Sequence, residues 1–459
     1  DNLPKIPANS FGFSVGIITL FLVILYFIGQ RHGAPMTIVP IACCAIGIAE
    51  HFVVQFKGEA ILPSDILALG TAMEVSDGYS FVFTQGIATS LVLLEICLVL
   101  LSLIRPRRIS ASYVPANIGG NLIAAVTVTA FAFVGLSGLK VDEALGFDMD
   151  LWQPITTYVS QGFITSFTTM VERLPIDKPD DYSDESTAKI QKKLVASYNA
   201  GRGASAEREA AVAQFNELKP AVIGIMNESF SDLSCFDQLQ AAGYNGPAFY
   251  NSLSDTLVRG TMLSSVTGGG TANSEFEFLT GNSMAFVGVG KIPYQLYKMS
   301  NVDNLAKDLG RAGYTATAIH PQKPVNYHRD QVYRQFGFKK FLSIDDFKDA
   351  PTYHSGATDR ATYDKILDLL RNDPSPQFIF DVTMQNHGGY DDGSVPQDEL
   401  TDYQIDGVDQ TTLSQLNTYL TCINASDRDL EYFIGELRNI GRPVVLIFFG
   451  DHQPSVASP

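Results

Sequence analysis

The sequence predicts a polytopic α-helical membrane domain followed by an extracellular α/β domain whose largely parallel sheet is flanked by helices. Three observations carry this. Residues 1–140 hold long apolar runs, whereas residues 141–459 read as an acidic soluble chain. Four runs, 11–29, 35–55, 85–104 and 114–138, approach the roughly 20 apolar residues that a spanning helix needs. From residue 220 onward, short apolar runs alternate with helical ones, the pattern of strand–helix units in a parallel sheet.

The membrane half comes first. A signal peptide would explain one run, not four. Arg31 and His32 lie in the first loop and Arg105, Arg107 and Arg108 in the third, whereas the second carries Glu59, Asp65, Glu74 and Asp77. The excess of basic residues puts the first and third loops in the cytoplasm and everything after Gly138 outside. The expected location is the cell membrane, multi-pass. The chain opens on Asp1 and starts outside, so a processed or partial product with a further upstream helix is expected. Glu50, His51 and Glu95 fall within spans; such groups are costly there, and we read them as a structural set, since nothing else points to ion transport. The segment "LPSDILALGTA" (62–72) reads as a short surface helix capped by Ser64 or Asp65.

Residues 141–219 read as a juxtamembrane amphipathic helix and linker. "ITSFTTMVERL" places Ile164, Phe167 and Val171 on one helical face, either on the outer leaflet or against the soluble domain. The polar stretches that follow are linker and surface helices, with the boundary near Lys219. The net charge of −17, with no basic stripe, excludes nucleic acid as a partner. Five scattered cysteines build neither a disulfide framework nor a zinc site, although Cys235 and Cys422 could pair.

In residues 220–459, four apolar runs each end on a polar or metal-capable side chain. "AVIGIM" ends at Asn227-Glu228, "TATAI" at His320-Pro321, "FIFDVTM" leads to Asn386-His387, and "VVLIFFG" ends at Asp451-His452. Ligands of open α/β sheets bind beyond the carboxyl ends of the strands, so this alignment predicts a site. Glu228, Asp451 and His452 offer mixed oxygen and nitrogen ligands suited to Mn²⁺, Mg²⁺ or Zn²⁺. "SSVTGGGTANSEFEFLTG" (264–281) runs three glycines into Thr271, which opens a helix. A helix start with free N–H groups is a phosphate site, and a bound cation could make the Thr271 hydroxyl a nucleophile. The alternative is a simple N-cap threonine. His387 could hold a phosphate oxygen or protonate a leaving alkoxide. In "HPQKPVNYHRDQVY", Arg329 could clamp a phosphate or make a surface ion pair, Tyr327 could pack on a headgroup, and His320 could orient the loop or the metal shell. His328 reads as solvent-facing, and His354 has no supporting context.

Taken in order, "MNESFSD", "GGGTANSEFEFLTG", "HPQKPVNYHRD", "MQNHGGY" and "GDH" resemble the lipoteichoic acid synthase family, phosphoglycerol transferases on the alkaline phosphatase/sulfatase-type fold. The resemblance implies that Glu228, Thr271, Asp451 and His452 hold one Mn²⁺ or Mg²⁺. It also implies that Thr271 attacks phosphatidylglycerol, and that His387, Arg329 and Tyr327 contact substrate; from its own position we place His320 in the same substrate-binding set. The acceptor would be a growing polyglycerolphosphate chain on a glycolipid anchor, or a surface polysaccharide or glucan; a metal-dependent phosphatase or phosphodiesterase of the same fold is the hydrolytic alternative. A sulfatase would need a C/S-x-P-x-R motif where this chain has Thr271-Ala-Asn-Ser-Glu. Tyr327 stands where the family often has tryptophan. The family has one more span than the four read here and extends past Asp-His, so incompleteness at both ends is expected.

Overall fold

The computed structural model describes residues 3–67, 81–108, 110–150, 154–175, 179–288, 290–390 and 393–457. They form two compact units: Asp1–Ile66 with Ser80–Pro175, and Leu67–Tyr79 with Ile176–Pro459.

The first unit contains four helices long and apolar enough to cross a membrane: Ala8–Ile28 (α1), Ile38–Lys57 (α2), Gln85–Ser102 (α3) and Val114–Leu136 (α4). Polar groups here are tied to one another. Arg31 Nε donates to Asn121 Oδ1 at 2.9 Å, and Asn121 Nδ2 donates to Gln30 Oε1 at 2.9 Å. Glu50 Oε2 accepts the Ile61 N–H at 2.8 Å, in keeping with a structural role.

One expectation is corrected in this unit, and for a second the structure shows which face of the helix is buried. The segment from Leu62 is not a surface helix. Its helix covers Pro63–Leu67, Leu62 and Ser64 are buried, and Leu62 joins Ala60, Met149, Tyr158 and Met170 in a small core. Asp65 Oδ2 accepts the Leu62 N–H at 2.8 Å; the remainder of that stretch, 68–72, and the loop acids Glu74 and Asp77 lie outside the described residues. The amphipathic segment forms helices Pro154–Gln161 (α5) and Phe163–Glu172 (α6), and α6 buries Thr165, Ser166, Thr169 and Met170. Ile164 and Phe167 are only partly buried, and Val171 is exposed. The buried face packs on α1: Thr165 Oγ1 donates to the Ser10 carbonyl at 3.2 Å, and Ser10 Oγ to Gln161 Oε1 at 2.7 Å. Small hydroxyl residues let helices approach closely and bond across the seam.

In the second unit, Asp184–Ala200 (α7) starts with a Ser183/Ser186 capping box and Ala206–Leu218 (α8) with Ser205. The five-stranded sheet follows, in the order β3-β2-β6-β1-β7. Its strands are Ala221–Asn227 (β1), Thr315–Ile319 (β2), Lys340–Leu342 (β3), Gln377–Val382 (β6) and Val444–Gly450 (β7), paired in parallel. A short antiparallel hairpin, Thr352–Tyr353 (β4) and Gly356–Ala357 (β5), stands apart. β1 and β6 are buried throughout, as continuous apolar runs require. β7 is an edge strand with Val445 and Ile447 each 37% exposed.

Alternation along β1 feeds two cores. On one face Val222 and Met226 join Phe378, Phe380, Val332 and Phe336. On the other Ile223 and Ile225 meet Tyr363, Ile366 and Leu370 of helix Asp359–Asn372 (α11), spaced along one helical stripe, and Phe433 of helix Gln410–Arg438 (α12). Each such side chain contributes about 1.5–3 kcal/mol on burial, so the sheet's carboxyl edge is rigidly supported. Cys235 is exposed, Cys422 is buried, and both are free thiols.

Candidate active site

The parallel register brings the ends of β1 and β7 side by side, pairing Asn227 with Gly450. Glu228 and Asp451 follow directly. Ser229 turns the chain at a left-handed φ of 52°, a conformation costing about 1–3 kcal/mol for a non-glycine residue. Three bonds hold it: its N–H donates to Asp451 Oδ1 at 2.7 Å, its hydroxyl to Glu228 Oε1 at 3.0 Å, and its carbonyl accepts from Tyr419 at 2.9 Å.

Asp451 Oδ1 also accepts the His452 N–H at 2.8 Å, but Oδ2, fully buried, accepts no hydrogen bond from the described residues. It lies 3.1 Å from His452 Nε2, which is 3.7 Å from Glu228 Oε1. His452 Nδ1 donates to the Gln453 carbonyl at 3.0 Å, the tautomer that leaves Nε2 free as a ligand. One ligand atom from each of Glu228, Asp451 and His452 lies within 4.8 Å of the others. Burial raises Glu228, and burial with the neighbouring Glu228 charge pushes Asp451 up to about 6. Burial alone would lower His452, but the two carboxylates outweigh it and raise it. Crowded carboxylates, an orphaned oxygen and a free imidazole nitrogen fit a divalent cation.

The glycine loop is strapped to the same strand end: the Gly268 N–H donates to the Gln453 carbonyl at 2.8 Å. Gly270 has φ 86°, and a Cβ there would lie 3.0 Å from Val266 Cγ1. It is the N-cap of helix Thr271–Thr280 (α9), so Thr271 is the first helical residue and not the cap. The N-cap alternative for Thr271 is thereby set aside. Its hydroxyl lies close enough to Glu228 and Asp451 to favour both in their ionised forms. Ser274 Oγ, one turn along, donates to the Asp451 carbonyl at 2.7 Å.

Arg329 opens helix Arg329–Phe336 (α10), after Tyr327 and His328 at φ 53° and 57°. It is buried, which corrects the surface ion-pair alternative: Nε donates to Glu275 Oε1 at 2.8 Å, and Nη2 to the same oxygen. The Tyr327 ring centre lies 5.0 Å from the guanidinium carbon, and His328 is exposed as expected. His320 is buried, with Nδ1 donating to the Val382 carbonyl at 2.9 Å; burial and the Arg329 charge hold it well below the ordinary histidine value. His387 is partly buried, and loss of solvation together with the His452 charge pushes it down to about 4. Both histidines are neutral at pH 7.

Several side chains were not read from the sequence. His354 Nε2 and Ser355 Oγ, at the tip of the β4–β5 hairpin, donate to the His387 carbonyl at 3.0 and 2.8 Å. Behind β1, Asp359 accepts from Asn227 Nδ2 at 2.7 Å and from Ser426. Ser426 Oγ in turn accepts from Asn386 Nδ2 at 2.8 Å, which also reaches the Glu228 carbonyl at 3.2 Å. Glu275 lay in view inside "TANSE", one turn after Thr271, but its partner is 54 residues away.

Residues 220–458 match the protein-family model described as Sulfatase. A candidate cyclic beta-1,2-glucan modification protein of Rhizobium meliloti is 28% identical over 305 residues, 66% of this chain and 44% of the relative. A lipoteichoic acid synthase of Staphylococcus saprophyticus is 28% identical over 188 residues, 39% of this chain and 27% of the relative. The chain thus spans less than half the length of the curated relatives it matches. Among solved structures, the integral membrane lipooligosaccharide phosphoethanolamine transferase A of Neisseria meningitidis aligns over 98% of this chain and 77% of its own. It does so with a TM-score of 0.52 at 12% identity, a likeness of fold.

Proposed function

The chain belongs to the sulfatase family of the alkaline phosphatase superfamily, and from that premise we propose that it is a membrane-anchored glycerophosphate transferase. In this reading it moves glycerol phosphate from phosphatidylglycerol, by way of Thr271, onto a polyglycerolphosphate chain of the lipoteichoic type. The observation that carries it is the convergence of Thr271, freed from capping, on the buried carboxylates of Glu228 and Asp451. A second acceptor, a surface glucan or polysaccharide, is favoured by the length of the match to the glucan modification protein, 305 residues against 188 for the synthase.

Glu228, Asp451, His452 and the Thr271 hydroxyl would hold a divalent cation, Mn²⁺ or Mg²⁺, which when bound acidifies the hydroxyl and neutralises phosphate charge. The start of α9, where the Asn273 N–H is bonded to the Gly270 carbonyl, would offer its first N–H groups, those of Thr271 and Ala272, and a positive dipole end to an anionic phosphate. Arg329 adds a fixed positive charge, and neutral His387 offers a ring N–H to a phosphate oxygen. Thr271 Oγ gives up its proton and forms a bond to phosphorus as the bond to the diacylglycerol oxygen breaks; that oxygen takes up a proton in exchange and diacylglycerol leaves. An acceptor hydroxyl then displaces Thr271 and inherits the glycerophosphate. A catalytic unit joined to membrane helices outside the cell meets its lipid donor at raised effective concentration.

The test is diacylglycerol release from fluorescent phosphatidylglycerol in vesicles, with Mn²⁺, with EDTA, and with Thr271→Ala. Metal-dependent release lost in the variant supports the donor half-reaction. No release from folded, metal-loaded protein sinks phosphatidylglycerol as the donor.

A further inference from the structure

We propose that Glu275 is a positioning residue that locks the Arg329 guanidinium to the helix bearing Thr271, making nucleophile and phosphate clamp one rigid unit. The inference deepens the reading above and rests on Arg329 as a phosphate contact.

Glu275 sits one turn after Thr271 on α9 and is fully buried; Arg329 is 2% exposed. Glu275 Oε1 accepts both Nε and Nη2 of Arg329, and Oε2 accepts the Tyr333 hydroxyl at 2.6 Å. Both carboxylate oxygens are therefore engaged, and one edge of the guanidinium fork is used up. Nη1, on the other edge, has no hydrogen-bond partner among the described residues. That free donor is in the right company, because the Arg329 charge is felt at Glu228, His320 and His387. A planar fork held along one edge presents the other in a fixed direction, which suits a tetrahedral oxyanion.

Stability alone does not account for the arrangement. Desolvating two opposite charges roughly cancels their attraction, and apolar side chains of similar volume would serve a core as well. The fold also holds Tyr327 and His328, both non-glycine, in left-handed backbone to turn Arg329 inward and lay the Tyr327 ring over it. The same helical turn is bound to the metal-ligand strand, through Ser274 and the Asp451 carbonyl. Glu275 thus sets the distance between the clamp and the attacking hydroxyl.

The test uses the full chain in detergent with Mn²⁺, inorganic phosphate as the probe, and calorimetry as the readout. Glu275→Gln keeps the shape and one acceptor oxygen but releases the charge that fixes the fork. Phosphate affinity should fall by about 10–100-fold, the scale seen when the partner that orients a ligand-binding side chain is lost. The same substitution in an Arg329→Gln background should change little, because Glu275 acts through Arg329. Glu275→Asp, which retains charge but withdraws it, should weaken phosphate binding less and serves if the glutamine variant fails to fold. A merely structural Glu275 would lower the melting temperature and leave phosphate affinity within about twofold of the parent, which overturns the proposal. Equal losses in both backgrounds overturn it too, as does unchanged affinity in Arg329→Gln, which removes the clamp itself. Phosphate binding is read without turnover. Coupled losses in a protein that releases no diacylglycerol would therefore sustain this inference while refuting the donor assignment.

Discussion

Replacing Gly450 by alanine is a direct challenge to the geometry of the site. Gly450 ends β7, immediately before Asp451, and its α-carbon faces the backbone that follows Glu228. A Cβ there would lie 1.8 Å from the Phe230 carbonyl oxygen and 2.8 Å from its carbon. Ordinary contact begins near 3.4 Å, so the two segments must part by about 1.6 Å. Both are backbone, so no flexible side chain can yield. The motion separates the two strand ends that carry Glu228 and Asp451 and breaks the Ser229 bond to Asp451 Oδ1. Loss of supporting contacts of this kind costs about 10–100-fold in metal affinity, and a misplacement of about 1 Å costs on the order of 100-fold in rate. Titration calorimetry with Mn²⁺ and the lipid assay read the two effects. Gly435→Ala, in α12 with nothing within 4 Å of its Cβ, controls for loss of a glycine. It should bind Mn²⁺ as the parent does and gain up to about 1 kcal/mol in stability. If Gly450→Ala folds and binds Mn²⁺ with parental affinity, the proposed ligand set is wrong.

Three further outcomes are expected. Thr271→Ala should abolish transfer yet keep its stability within about 0.3 kcal/mol of the parent, because the hydroxyl caps no helix; a cap would cost about 0.5–2 kcal/mol. Thermal melts of the two proteins side by side decide this. Asp359→Asn should change the pH dependence of stability. Burial raises this carboxyl from 3.8 to about 6, so its contribution is full below the unfolded value and is lost as pH rises through the folded one. Relative to the parent, the non-titrating variant should gain about 2.4 kcal/mol between pH 4 and pH 8, read by urea unfolding; a pH-independent difference would show that Asp359 is not held protonated. His387→Ala should lower kcat/KM by about 100-fold, and the parent rate should show no ionisation from His387 between pH 5 and 8.

What could be read from the sequence was local. Runs such as "AVIGIM" and "VVLIFFG" announce strands because burial on both faces demands unbroken apolar residues, and the side chain that follows each run must emerge at the sheet's carboxyl edge. The Gly-Gly-Gly-Thr stretch likewise signals a backbone in left-handed conformations before a helix, as Gly270 shows. β3 is not legible, because three residues opened by Lys340 carry too little pattern. The juxtamembrane helix was read by its apolar stripe, yet it buries hydroxyls, because a helix seam can be closed by Ser–Thr hydrogen bonds as well as by hydrophobic area. The Glu275–Arg329 pair, the Asp359 network and the His354 brace join residues 33 to 158 positions apart. No periodicity encodes such partners; only the folded register does.

The central claim is that Thr271 carries the transferred group. Incubating the full chain with phosphatidylglycerol and Mn²⁺ but no acceptor, then quenching in acid, allows the peptide around Thr271 to be weighed by mass spectrometry. A glycerophosphate adduct on Thr271, absent with EDTA, is the predicted result. Diacylglycerol release with Thr271 unmodified at every time point would contradict the account.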